Sequence, residues 1–155
     1  MIAPTVRVQA EDFDVAREES KLFEGRRDIG ALVAFTGLCR DEDGALSALE
    51  LEHYPGMAEE EIGRVAGDAL TRWPLLGLTI IHRHGVIHPG ERIVLVVAAA
   101  RHRADAFAAA EFMMDYLKTR APFWKKERRA DGACGDWVSA KDEDAAALAR
   151  WRETS

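Results

Sequence analysis

The stretch Asp115–Glu127, reading DYLKTRAPFWKKE, decides how this chain is built. Its first half closes an apolar run with helical spacing. Pro122 then breaks the helix, and Phe123 onward reads as an extended segment, so a helix hands over directly to a strand. Lys118, Arg120, Lys125 and Lys126 are interleaved with Tyr116, Phe123 and Trp124. Adjacent residues of a strand point to opposite faces, so at most one of Lys125 and Lys126 shares a pocket with Lys118. The surrounding chain has a net charge of -6. A local cationic cluster on an acidic protein suits one small anionic ligand better than a polyanion.

Upstream of this stretch, the spacing predicts a long helix over Ala104–Lys118, rich in Ala, Phe and Met. It follows two strands, Leu78–Ile87 and Arg92–Ala100, joined by the turn-like His88-Pro89-Gly90-Glu91. A second helix is expected over Met57–Trp73, with Ile62, Val65, Ala66, Ala69, Leu70 and Trp73 on one face and Pro74 ending it. Before it, Gly30–Leu38 reads as a core strand and Leu46–Tyr54 alternates as a half-buried one. The acidic Asp41–Gly44 between them suggests a hairpin with a longer loop. Thr5–Gln9 is a short strand, and Asp14 can cap a helix reaching Phe23. Downstream, Ala130–Gly135 reads as a mobile loop, Trp137-Val138 as extended, and Lys141–Trp151 as a short helix. This mixture of hairpins and helices predicts an α+β fold, a mixed or antiparallel sheet with helices on one face. At 155 residues the chain makes one domain over 1–155, with a core at about 5–140 and a helical tail at 141–155.

Composition narrows the function. Hydrophobic residues at 48% and charged residues at 31% are ordinary for a soluble protein. The acidic balance argues against nucleic-acid binding, which depends on basic surface to displace counterions. No apolar run approaches the roughly 20 residues needed to span a bilayer, and no secretory signal is evident at the N-terminus. Cys39 and Cys134 form neither a disulfide framework nor a zinc motif, and a reducing cytoplasm is the expected setting. The five histidines, His53, His82, His84, His88 and His102, lack paired ligand spacing, so no metal is expected. His82 and His84 share one face of a strand and suit a core or edge role. No glycine-rich nucleotide loop or GxSxG elbow occurs, and no cofactor is called for.

Three groups of polar residues fall at ends of elements, where sites are usually found. Arg40 follows a strand and reads either as a solvated loop arginine or as an anion ligand. Arg101-His102-Arg103 precedes a long helix. Cations there oppose the helix dipole, so the cluster is either surface charge or a phosphate site that a bound anion would compensate. Arginine would add bidentate hydrogen bonds to phosphate. Lys118 in a last helical turn is favoured by the dipole alone. Beside Lys125 in a partly desolvated cleft, it could also serve as acid or base near neutrality.

The segments FTGLCR (Phe35–Arg40), LEHYPGM (Leu51–Met57), RWPL (Arg72–Leu75), HRHGVIHPGE (His82–Glu91), HR (His102-Arg103) and MDYLKTRAPFWKKE (Met114–Glu127) follow one another in order. Together they resemble the MoaE family, the large catalytic subunits of molybdopterin synthase, over nearly the whole chain. The resemblance implies an α/β hammerhead-like fold and a sulfurtransferase of molybdenum cofactor biosynthesis. Such an enzyme converts cyclic pyranopterin monophosphate (precursor Z) into molybdopterin. Sulfur would arrive as a thiocarboxylate on the C-terminal Gly-Gly tail of a small ubiquitin-like subunit of the MoaD family. The large subunit would form a central homodimer within a heterotetramer. Carried over by residue, Lys118 and Lys125 match the lysines of the reacting centre, and Arg40, His102 and Arg103 match basic residues lining the substrate site. Cys39, next to Arg40, raises the question of a sulfur-relay thiol, although a free cysteine is more often a small buried hydrophobe. The competing reading is a docking module that binds a ubiquitin-like tail without catalysis.

Overall fold

A computed structural model describes residues 2–41, 44, 46–129, 134–138 and 142–152. In chain order the elements are β1 (Thr5–Gln9), α1 (Val15–Phe23), β2 (Ala31–Leu38), β3 (Leu46–His53), α2 (Met57–Arg72), β4 (Leu75–Arg83), β5 (Gly85–Ile87), β6 (Arg92–Ala100), α3 (Arg103–Thr119), β7 (Phe123–Arg129), β8 (Cys134–Val138) and α4 (Asp142–Ala149), with a 3-10 turn at Arg150–Arg152. The strands form two four-stranded sheets, ordered β1-β4-β6-β2 and β5-β3-β7-β8. In the first, β1 runs parallel to β4 and the other pairs are antiparallel; the second is antiparallel throughout. The fold is α+β, as expected.

The central strands of the first sheet, β4 and β6, are buried on both faces, which departs from the expectation of helices on one face only. Leu78, Ile80, Val94, Val96 and Ala98 pack with Ile62 and Val65 of α2 and with Ala109 and Met113 of α3. The alternate residues Ile81, Leu95 and Val97 pack with Phe13 on the face that carries α1. This explains why β6 reads as an unbroken apolar run, since a strand covered on both sides has no polar face to alternate with. Ala106, Ala109, Ala110 and Met113 recur at helical spacing along the buried side of α3. Each large side chain so buried contributes about 1.5–3 kcal/mol.

Two pairings differ from expectation. β2 and β3 do not form a hairpin. β2 is an edge strand against β6, whereas β3 lies in the second sheet between β5 and β7. The turn chemistry is present, because the Asp41 carboxylate accepts from the backbone N–H of Gly44 and Leu46. What directs the strands apart is burial: Leu51 of β3 closes a small separate core with Cys39 and Ile87. The expected single strand Leu78–Ile87 is divided as well. Gly85 has a φ of +93°, a conformation that favours glycine, and there the chain leaves the first sheet and enters the second. Arg83 secures this crossing by donating to the carbonyls of Ala10 and Arg92, beside Glu91 at 3.6 Å. Of the loop expected at Ala130–Gly135, residues 130–133 lie outside the described residues, and Cys134 and Gly135 open β8. Trp151 anchors the C-terminal tail: its indole N–H donates to Asp115 and its ring meets Trp73 and Phe112 edge-on.

Candidate active site

The C-terminal end of α3 leads into β7 through a tight, fully bonded connection. The Arg120 N–H donates to the Tyr116 carbonyl at 2.8 Å, and the Phe123 N–H donates to Ala121 at 2.7 Å. Lys118 sits exposed in the last turn, where the helix dipole favours a cation. On β7, Phe123 pairs with His53 and Lys125 with Leu51. With a side-chain period of two, Phe123, Lys125, His53 and Leu51 share one face of the second sheet. Leu51 is almost wholly buried, so this is the inward face and Lys125 is half-buried on it. Lys126 and Trp124 take the other face, where Trp124 meets Tyr54 edge-on. Thus Lys125 rather than Lys126 is the lysine that faces inward.

His82, near enough to both lysines to feel their charge, is only 7% exposed. Its imidazole stacks on the Phe123 ring at 3.8 Å between centroids, tilted by 16°. His53 lies beside the same ring at 5.9 Å and approaches His84 at 4.4 Å. Burial is the main cause that pushes the His82 pKa down to about 4, and the charges of Lys125, Lys118 and His53 act in the same direction. The backbone carbonyl of Arg83, 2.8 Å from Nδ1, partly opposes that shift. His84 is also lowered, by burial first and then by His53. The edge-or-core reading of these histidines therefore holds for His82, but it does not show that the ring stacks on Phe123. Nothing local in the sequence shows this contact, which arises where the two sheets meet.

Arg40 lies at the same end of the first sheet. β2 runs antiparallel to β6 and brings Leu38 opposite Arg92, two residues from the Val94 that pairs with His82. The adjacent Cys39 is tied down by its N–H to Glu91 and by its carbonyl, which accepts from Gly90. Arg40 itself is exposed. Cys39 is 4% exposed and packs with Leu51 and Ile87. Burial foremost, then the carboxylates of Glu91, Asp41 and Glu127, raise its pKa, so it stays a thiol and is a poor nucleophile. That supports the buried-hydrophobe reading over a sulfur relay.

His102 and Arg103 are elsewhere. His102 is the N-cap of α3 and Arg103 its first residue, both exposed. Fifteen residues of helix separate Arg103 from Lys118, which at 1.5 Å rise per residue is about 22 Å. A single chain therefore gathers Lys118, Lys125 and Arg40 at one end of α3 and leaves His102 and Arg103 at the other. Among the described residues, no three His, Cys, Asp or Glu side chains gather as a metal site, and no helix is long and apolar enough to cross a membrane.

The fold is an α+β domain in which the charges of Lys118 and Lys125, from different elements, both act on one buried imidazole. The family model described as MoaE protein matches residues 8–120. Over 155 residues the chain is 67% identical to the molybdopterin synthase catalytic subunit of Mesorhizobium japonicum, covering 100% of this chain and 98% of that one. The structure of molybdopterin cofactor biosynthesis protein E from Burkholderia multivorans superposes with a TM-score of 0.82 at 47% identity, over 97% of this chain and 98% of that one. A complex of subunits 1 and 2 of the molybdopterin-converting factor from Helicobacter pylori shares the fold, with a TM-score of 0.66 at 20% identity over 88% and 90% of the two chains. The chain belongs to the MoaE family. It is an enzyme, a sulfurtransferase of molybdenum cofactor biosynthesis.

Proposed function

We propose that the lysine end of α3 is the reacting centre at which precursor Z becomes molybdopterin, with Lys118 and Lys125 as the catalytic residues. The observation that carries this reading is the placing of Lys125 on the inward face beside Phe123, which stacks on His82, with Lys118 on a different element and its charge also acting on that ring. Thiocarboxylate sulfur from the carrier attacks the side-chain carbons of the pterin. Lys118 acts there as general acid or base, or stabilises developing charge, and Lys125 assists. The reaction needs no cofactor of its own, since the sulfur arrives on the carrier and the pterin is the substrate. The partner is a small ubiquitin-like subunit whose Gly-Gly tail enters this cleft, a reading in keeping with the two-subunit Helicobacter pylori assembly. The free, buried thiol of Cys39 suits a reducing cytoplasm.

The separation along α3 argues for a homodimer in which the phosphate site is shared between copies. β2 is an edge strand with Phe35 and Leu38 exposed. Two β2 edges paired antiparallel about their middles would bring Arg40 of one copy beside the Gly30 region of the other. Gly30 is hydrogen-bonded to Ala100 and packed against the Arg101 carbonyl, next to His102 and Arg103. Arg40 of one copy, with His102 and Arg103 of the other, would then hold the phosphate. One small subunit at each end completes a heterotetramer.

The test is single-turnover conversion of precursor Z with thiocarboxylated carrier. Lys118→Ala should lower the rate by about a hundredfold or more, in the range of lost acid–base catalysis. Full activity in that variant would remove Lys118 from the reaction. Retained carrier binding without product from the unaltered chain would make it a docking module. Mixing Lys118→Ala with Arg103→Ala chains should restore product, because one site of each mixed dimer keeps both residues.

A further inference from the structure

Lys118 and Lys125 are carried by different bodies. Lys118 belongs to α3, which packs on the first sheet, whereas Lys125 belongs to β7 in the second sheet. Their separation therefore depends on how the two sheets are held together at this end. His82 is the next-to-last residue of β4, two positions before the chain leaves the first sheet. Its ring lies flat on Phe123, and Phe123 and Lys125 are two residues apart on the same face of β7. A shift of that ring would carry Lys125 with it.

The protonation state follows from geometry. The Arg83 carbonyl can only accept, so Nδ1, at 2.8 Å, carries the proton and donates. Burial, which lowers the His82 pKa to about 4, favours the neutral form of that ring at pH 7. Neutrality matters, because Lys118 of α3, Lys125 of β7 and His53 of β3 all act on it. A charged imidazole there would repel both lysines. With a pKa of about 4, His82 is also too weak a base to take a proton from a lysine at pH 7. That argues against a direct role in proton transfer.

We propose that His82 is a positioning residue for the sulfur transfer, its neutral ring stacked on Phe123 setting the separation of Lys118 and Lys125. This rests on the reading of the two lysines as the reacting groups.

The experiment measures two things on the folded dimer: single-turnover dithiolene formation with thiocarboxylated carrier, and the yield of a Lys118–Lys125 link formed by a short amine-reactive crosslinker. In His82→Ala the rate constant should fall about tenfold or more while the KM for precursor Z stays within about twofold, and the crosslink yield should drop. His82→Phe keeps a flat ring against Phe123 and should return the rate to within about threefold of the unaltered chain. Phe123→Leu removes the ring from the other side and should repeat the loss, which covers the case of an unstable His82→Ala chain. An undiminished rate in His82→Ala, a slow variant with unchanged crosslinking, or no rescue by Phe would each overturn the proposal. A parallel Lys118→Ala reaction separates the two ideas. If that variant is fully active, the lysine reading fails and takes this inference with it; if it is inactive while His82→Ala is normal, only the inference fails.

Discussion

The two ends of α3 both carry cations, but the helix treats them oppositely. At the C-terminal end Lys118 is stabilised by the dipole and by free carbonyls, so it needs no ligand to be there. At the N-terminal end His102 and Arg103 lie where the dipole is positive, and no capping hydrogen bond from His102 offsets that. Asp105 is the acidic residue that the first turn supplies. Lys118 is exposed, as His102 and Arg103 are, but the helix end that carries it runs into β7, whose Phe123 stacks on His82 and lies beside His53. On the proposed function, the contrast separates a preorganised reacting centre from a docking site. Fixed geometry suits bond making, whereas cations that the fold alone does not favour suit an anion that arrives and leaves.

Acid provides the largest test of this difference. The His82 pKa is about 4 in the folded chain, below the ordinary 6.5, so the unfolded state binds more protons between these values. The stability that neutral His82 represents is complete above pH 6.5 and is lost as pH falls toward 4. The difference corresponds to about 3 kcal/mol. Urea unfolding at pH 7 and pH 4.5 should show this loss, and His82→Phe should flatten that part of the profile. Hydrogen exchange should quicken first around Phe123 and the end of β4 as the ring becomes charged, while the first turn of α3 keeps its protection. Uniform loosening along α3 would mean that the two ends are not distinct in the way described.

Gly30→Ala addresses the other end. A Cβ there would lie 2.2 Å from the Arg101 carbonyl oxygen, and because the obstacle is backbone, the segment leading into α3 must move. Overpacking of this kind costs about 1–3 kcal/mol. Affinity for precursor Z should fall because His102 and Arg103 are displaced, whereas the Lys118–Lys125 crosslink yield should stay unchanged. A loss of crosslinking in Gly30→Ala would show that the two ends are mechanically coupled.

The helices and most strands are legible from periodicity, because α2, α3 and β6 bury faces that the sequence marks plainly. The cations at the ends of α3 are legible as well, since they are local features. The partition of strands between sheets is not. An acidic turn between β2 and β3 signals a hairpin, yet the partner of each strand is chosen by burial against β6 and Ile87, residues far along the chain. That Arg40, Lys118 and Lys125 lie toward one end of α3 and His102 and Arg103 at the other is not legible either, because spacing does not tell which end of α3 a residue shares with β2. The stacking of His82 on Phe123 is hidden for the same reason, since that contact spans two sheets.

The smallest expected effect tests the comparison most directly, because it is one of sign. Charge reversal at an exposed helix terminus changes stability by about 0.3–1 kcal/mol. Arg103→Glu should therefore stabilise the free protein slightly, by placing an anion at the positive end of α3. Lys118→Glu should destabilise it by a similar amount. Inorganic phosphate distinguishes a binding site from mere surface charge, since a ligand that binds only the folded state raises its stability in proportion to the logarithm of its concentration. Phosphate should raise the midpoint of the unaltered chain and of Lys118→Glu but not that of Arg103→Glu. If Arg103→Glu were destabilising without phosphate, an existing partner within the protein would already be compensating the N-terminal cations. The end of α3 assigned to docking would then be as structurally fixed as the end assigned to chemistry.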